Sequence, residues 1–131
     1  MSILGDKVGV CGLKLKEIAR IIDCEVVTGE KFLDQDYKEI CAADLMSDVL
    51  AFGTPGGTLL TGLSNVQSVI TAHVAEIKAV VYVRGKRPDA DAIKLASQKR
   101  IPLLTTQLSM FEACGRLFQK GLRSGANLGE T

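Results

Sequence analysis

Tryptophan is absent from the 131-residue chain, and two tyrosines with four phenylalanines bring the aromatic content to only 5%. So thin an aromatic complement excludes a stacking platform for single-stranded nucleic acid. Charge is nearly balanced, with 16 Lys and Arg against 15 Asp and Glu and a formal net charge of +1. No basic field draws in nucleic acid, and there is no acidic tail. No apolar run approaches the roughly 18 residues of a membrane span. The opening MSILGDKVGVCG lacks the continuous hydrophobic stretch of a secretory signal. The expectation is a cytoplasmic protein with neither nucleic acid nor membrane as partner.

Catalytic motifs are missing too. The single histidine, His73, lies on the apolar stripe of its helix, where a core or subunit contact suits it better than a role as base. No Ser-His-Asp set can be assembled around it. HExxH, CxxC, GxSxG and GxxxxGK[ST] do not occur; Gly85-Lys86-Arg87 has neither the loop length nor the final hydroxyl of a P-loop. The four cysteines, Cys11, Cys24, Cys41 and Cys114, are not spaced as a metal knuckle requires. They read as reduced, buried thiols.

What is present is ordinary in amount, 47% apolar and 24% charged, and fits one domain with a core over 13–122 and mobile ends at 1–12 and 124–131. Leu15, Ile18, Ala19 and Ile22 repeat at helical spacing, so Leu13–Ile22 is expected as an amphipathic helix. Strands are expected at Cys24–Thr28 and Glu39–Ala43, with KFLDQDY as a polar loop between them and Asp44–Phe52 as a short helix or turn. From Thr58 onward the pattern is strand-helix three times over. The strands are Thr58–Thr61, Ala79–Val83 and Ile101–Leu104; the helices are Asn65–Ile77, Asp89–Lys99 and Gln107–Lys120. Ala79-Val80-Val81-Tyr82-Val83 is a run of β formers without alternation, as in a strand covered on both faces. The expected fold is a three-layer α/β/α domain on a mostly parallel, mixed sheet with right-handed crossovers, the first fifty residues adding a helix and two strands at one edge.

Parallel strands present their C-terminal ends at one edge, where open α/β sheets bind ligands. Three segments converge there: Thr61-Gly62-Leu63-Ser64-Asn65, Arg84-Gly85-Lys86-Arg87-Pro88 and Thr105-Thr106-Gln107-Leu108-Ser109. Each brings hydroxyls, a glycine or cations just ahead of a helix N-terminus, a natural place for a phosphate-type anion. Each also has a plain structural use. Ser64, Asn65, Thr106 and Ser109 suit N-caps, Ser109 with Glu112 fits a capping box, Gly62 suits a tight turn and the basic trio suits a solvated loop. The candidate ligand contacts are Thr61, Gly62, Ser64, Asn65, Arg84, Lys86, Arg87, Thr105 and Thr106. Asp44 and Asp48, at i and i+4, are the only close carboxylate pair for acid–base work. The last helix carries two apolar rows, Leu108, Phe111, Gly115, Phe118, Leu122 and Met110, Cys114, Leu117, Gly121. That is wider than one sheet face needs, so either it is sandwiched or its outer row meets a second copy, and a homodimer through 107–122 is expected.

The blocks KLKEIARIIDCEVVTGE, ADLMSDVLAF, LLTGLSN, IKAVVYVRGKRPD and IPLLTTQLSMFEACGRLF together resemble the DRTGG domain family, in particular its short stand-alone members. Many relatives have Thr-Gly-Gly where this chain has Thr61-Gly62-Leu63. The resemblance implies a fold like the N-terminal domain of HPr kinase/phosphorylase and of UDP-muramyl ligases. In those ligases an Asp-Ser-Arg segment and a Gly-Asp-Leu strand help hold UDP; here Ser47-Asp48 and Gly57-Thr58-Leu59 stand in similar places, without the arginine. It also implies regulation by an adenine nucleotide such as AMP, or companionship with an anaerobic redox or hydrogenase system. The functional expectation is a non-catalytic sensor of a nucleotide or phosphorylated metabolite. The alternatives are an assembly subunit without small ligand and a small enzyme using Asp44 and Asp48.

Overall fold

Every residue of the strand Ala79–Tyr82 is buried, as is every residue of Thr58–Thr61 and Leu103–Thr105. The computed structural model describes residues 12–125, and these three strands are its centre. In chain order the elements are β1 (Leu13–Lys14), α1 (Leu15–Ile21), β2 (Glu25–Thr28), a 3₁₀ turn (Glu30–Phe32), β3 (Asp36–Tyr37), β4 (Ile40–Ala42) and α2 (Met46–Phe52). They continue as β5 (Thr58–Thr61), α3 (Val66–Val74), β6 (Ala79–Tyr82), α4 (Ala90–Lys99), β7 (Leu103–Thr105) and α5 (Met110–Gln119). The main sheet has the order β2-β7-β6-β5-β4. β4, β5, β6 and β7 are parallel, and β2 runs antiparallel to β7. The mixed three-layer fold expected from the pattern is therefore what forms. The early strands do not share an edge, however: β2 and β4 close opposite sides of the sheet.

Alternation along the buried strands splits the core in two. Leu60, Val81 and Leu104 face one way, against Leu15 and Ile18 from α1, Ile22 just after it, and Ala113 and Leu117 from α5. Leu59, Val80, Tyr82 and Leu103 face the other, against Val49 of α2, Val69 and Ala72 of α3, and Ala92 and Ala96 of α4. Each fully buried Leu, Ile or Val contributes about 1.5–3 kcal/mol relative to exposure.

Local sequence differs from the expected elements in ways that have causes. The segment Leu13–Lys14 pairs with Asp36–Tyr37 as a small antiparallel ribbon, because Tyr37 is buried and its hydroxyl reaches Lys78 O at 3.3 Å. α1 therefore starts at Leu15, with Glu17 accepting the Lys14 N–H at 3.0 Å. α3 stops at Val74, three residues early, and Glu76 takes a left-handed φ of 61°. Its buried residues are Ser68, Val69, Thr71 and Ala72, whereas Ile70, His73 and Val74 are exposed. The apolar stripe through His73 was thus a poor guide. Small and hydroxyl-bearing residues pack better here, and Ser68 Oγ meets the buried Tyr82 hydroxyl at 2.8 Å.

Both outer strands are irregular. β2 carries a register shift between Val26 and Thr28. Beside β4, Arg123 forms a parallel bridge to Glu39, and its carbonyl takes the Ile40 N–H at 2.9 Å. Among the described residues no helix is long and apolar enough to cross a membrane.

Two glycines give opposite expectations. A Cβ on Gly29, whose φ is +92°, would lie 2.6 Å from Pro102 Cα, while a Cβ on Gly115 would meet nothing within 4 Å. Close packing does not explain Gly115. Gly29→Ala should cost more than about 2 kcal/mol in urea unfolding, and Gly115→Ala should gain roughly 0.5–1 kcal/mol. Equal effects from the two would contradict the packing around both.

Candidate functional site

The three loops do meet at the C-terminal edge of the sheet, joined by backbone hydrogen bonds. Val83 N–H donates to Thr61 O at 3.0 Å, Asp89 N–H to Ser64 O at 3.3 Å, Gly85 N–H to Thr106 O at 2.8 Å and Arg84 N–H to Leu108 O at 2.8 Å. Arg84 and Gly85 both sit in the left-handed region, φ 60° and 73°. Together they turn the chain tightly enough for Lys86 N–H to donate to Val83 O at 3.1 Å. A Cβ at Gly85 would come within 2.9 Å of Gln107 Oε1, so this loop is held against the next one.

At the centre of the first loop sits a carboxylate that belongs to the chain itself. Asp44 lies two residues after β4, and its Oδ1 accepts the Gly62 N–H at 2.7 Å and the Thr61 hydroxyl at 3.2 Å. Thr61 Oγ1 also accepts the Leu63 N–H at 3.1 Å. The turn after β5 is therefore an oxyanion receptor with an oxyanion in it, and Asp44 is solvent-exposed. Its position two residues past the C-terminal end of a parallel neighbour was the signal for this contact. Asp48 does not join it: α2 begins only at Met46, so the two carboxylates do not share a helix face. Their i, i+4 pairing for acid–base chemistry is absent. Ser47 and Asp48 lie instead in the first turn of α2.

Several expected ligand contacts have structural employment. Asn65 caps α3, its Oδ1 accepting Gln67 N–H at 3.1 Å. Thr105 Oγ1 donates to Lys86 O. Thr106 is buried; its hydroxyl donates to Ile22 O and accepts from Leu108 N–H, tying α1 to the loop after β7. Arg87 makes a two-pronged ion pair with Glu25 at 3.0 and 3.1 Å. That pair holds the Glu25 carboxyl below its usual range and raises the Arg87 guanidinium, the hydrogen bond being the larger cause in each case. Arg84 and Lys86 are exposed and in no ion pair with a described residue. With Gly62 and the half-buried Ser64 they are the groups most open to a ligand.

Nucleophilic chemistry finds little support among the described residues. Cys24, Cys41 and Cys114 are free thiols, each half-buried. Burial raises all three, with Asp23 adding to the rise at Cys24 and Asp48 at Cys41. They remain protonated, hence weak nucleophiles, near neutrality. No cluster of three or more His, Cys, Asp or Glu among the described residues could hold a metal ion.

The DRTGG domain model matches residues 17–119. Among solved structures the chain is similar to the CBS and DRTGG domains of the regulatory region of Clostridium perfringens pyrophosphatase, complexed with an activator, diadenosine tetraphosphate. The TM-score is 0.71 at 18% identity, over 92% of this chain and 53% of that one. The present chain thus spans about half of that structure, and at this identity the likeness is one of fold. No curated protein matches the sequence.

Cys24 gives a pH prediction. Burial, then the Asp23 charge, pushes its thiol from 9.0 to about 12. Because the folded value lies above the unfolded one, the stability it contributes is intact below about pH 9 and lost as pH climbs towards 12. Alkylation of the folded protein at pH 8, read residue by residue by mass spectrometry, should leave Cys24 almost unmodified. Rapid labelling there would contradict the burial.

Proposed function

The chain belongs to the DRTGG domain family, and on that premise we propose that it is a regulatory module that takes a nucleotide or other phosphorylated metabolite at the C-terminal edge of its sheet. The observation that carries this reading is the Asp44 carboxylate on the Gly62 N–H at 2.7 Å. A phosphate oxygen can accept the same two donors, Gly62 N–H and Thr61 Oγ1. The incoming anion would gain Arg84 and Lys86 from the adjoining loop, with Ser64 and the N-terminus of α3 beside it. Thr105, Thr106, Asn65 and Arg87 hold the loops in place and need not touch the ligand. The similar pyrophosphatase region was complexed with an activator that carries a phosphate chain, diadenosine tetraphosphate, which favours an adenine nucleotide such as AMP among the ligands to test.

Regulation needs an output, and Asp44 supplies a route to one. Displacing it releases the segment that leads into α2. That helix buries only Val49, while Leu45, Leu50 and Phe52 are 62%, 53% and 54% exposed. Ligand at the turn and the position of this apolar face are then alternatives of one equilibrium, which is what a sensor requires.

A second reading has its own observation. Phe111 and Phe118 on α5 are 85% and 59% exposed, whereas Leu122 of the same row is buried, so the row is only partly enclosed by the domain. Between α5, β4 and α2 lies a mostly apolar groove of about 390 Å³ lined by Ile40, Cys41, Phe52, Cys114, Phe118 and Leu122 among others. A homodimer through 107–122, or an assembly role beside a protein of an anaerobic redox system, would cover these surfaces.

The two readings separate experimentally. In isothermal titration with AMP, ADP, ATP, a UDP-sugar and acetyl phosphate, Asp44→Asn should tighten binding of the true ligand by about five- to tenfold. That factor corresponds to one exposed charge-assisted hydrogen bond no longer competing, about 1 kcal/mol. Arg84→Ala should weaken it; no binding by Asp44→Asn to any of the five sinks the sensor reading. Light scattering tests the interface: Phe111→Lys with Phe118→Lys should convert a dimer to monomer, and a wild-type protein that is already monomeric at high concentration removes the homodimer.

A further inference from the structure

The opposite edge of the sheet, where β6 and β7 begin and α3 and α4 end, holds a cavity of about 820 Å³. Lys78, Lys99, Arg100, His73, Glu76 and Phe32 are among its lining residues. It adjoins a second cavity of about 360 Å³ that shares Phe32 and Arg100 and adds Lys31 and Glu30. Four permanent cations thus face two carboxylates in a chain whose whole formal net charge is +1. None of the four is in an ion pair with a described residue, although exposed acids elsewhere on the surface are paired.

Their arrangement is not what helix ends alone demand. His73 and Lys99 lie in the last turns of α3 and α4, where a cation complements the helix dipole. That reason does not reach Lys78, which precedes β6, or Lys31 in the 3₁₀ turn. Arg100, which closes α4, shares the preference of a helix C-terminus for a cation, yet it sits in the left-handed region with φ 61°. Glycine fits that conformation without strain, so the conformation itself gives no cause for an arginine. The side chain has a defined place: its guanidinium lies 5.8 Å from the Phe32 ring centroid, and Lys31 Nζ lies 5.5 Å from the same centroid. Stacking occupies a face of the guanidinium and leaves its in-plane N–H fork open. Like charges gathered round one ring repel each other, and a multiply charged anion relieves that repulsion. The volume suits a nucleotide-sized guest.

We propose that these two adjoining cavities together bind a polyphosphate group, inorganic or carried by a nucleotide, through Arg100, Lys99, Lys78 and Lys31. The site is separate from the turn at Thr61–Leu63 and does not depend on that reading.

Tripolyphosphate, ATP and AMP titrated calorimetrically into the full chain, at low and moderate salt, test it. Wild-type protein should bind tripolyphosphate, more weakly as salt rises. Arg100→Gly should weaken that binding by about tenfold or more. Because the substitution suits the left-handed backbone, its melting temperature should stay equal or rise, which separates lost binding from lost fold. Lys78→Ala should weaken binding as well, and Arg84→Ala at the other edge should not. ATP equal to tripolyphosphate identifies the phosphate chain as the recognised group; tighter ATP adds contacts to the nucleoside; both support the site. Failure of tripolyphosphate to bind at millimolar concentration overturns the proposal. So does binding that survives Arg100→Gly, or that is lost in Arg84→Ala alone, which would assign the anion to the Gly62 turn.

Discussion

The constraint on which the rest depends is burial of the central parallel strands on both faces. β5, β6 and β7 have no solvent side, so none of their residues can present polar chemistry in mid-strand. Polar function is forced to the two ends of the strands. There the chain has placed very different groups: hydroxyls, turn amides and a carboxylate at one end, and cations round a phenylalanine at the other. The layers of helices above and below serve mainly to keep those ends in register.

At the C-terminal end the chain satisfies most of its own donors. Thr106 ties α1 to the loop after β7, and Arg87 ties the basic loop to β2 through Glu25. Asp44 does the same for the turn after β5. These contacts differ in one physical respect. Thr106 is buried and cannot exchange partners with solvent, whereas Asp44 is exposed and competes with water and any dissolved anion for its two donors. The first kind of contact is architecture; only the second can answer to concentration.

Much of this was legible in the sequence, and where it was not there is a reason. The run Ala79–Val83 is apolar without alternation, so its two-sided burial followed directly. Ser109 caps α5 as expected, its hydroxyl accepting the Glu112 N–H, but the Glu112 carboxylate pairs with Arg116. The convergence of the three loops followed from parallel topology. Hidden were the contacts made by single side chains across long sequence separations. Arg87 suits a solvated loop or a ligand until Glu25, 62 residues away, is brought to it, and Thr106 suits an N-cap or a ligand until its acceptor at Ile22, 84 residues away, is brought to it. The buried face of α3 was misread because periodicity weighs hydrophobicity, while the tight space beside Tyr82 selects for size and a hydroxyl. β3 was invisible because two residues carry no period.

The irregular outer strands have a bearing on assembly. A long flat outer strand would offer its unpaired amides and carbonyls to any other chain, with little regard for sequence. Here one border of the sheet is kinked by the shift between Val26 and Thr28, and along the other Arg123 already takes the Ile40 amide. Neither border offers a clean backbone template. Strand addition along either border is thereby disfavoured, which leaves side chains rather than bare backbone to distinguish one neighbour from another.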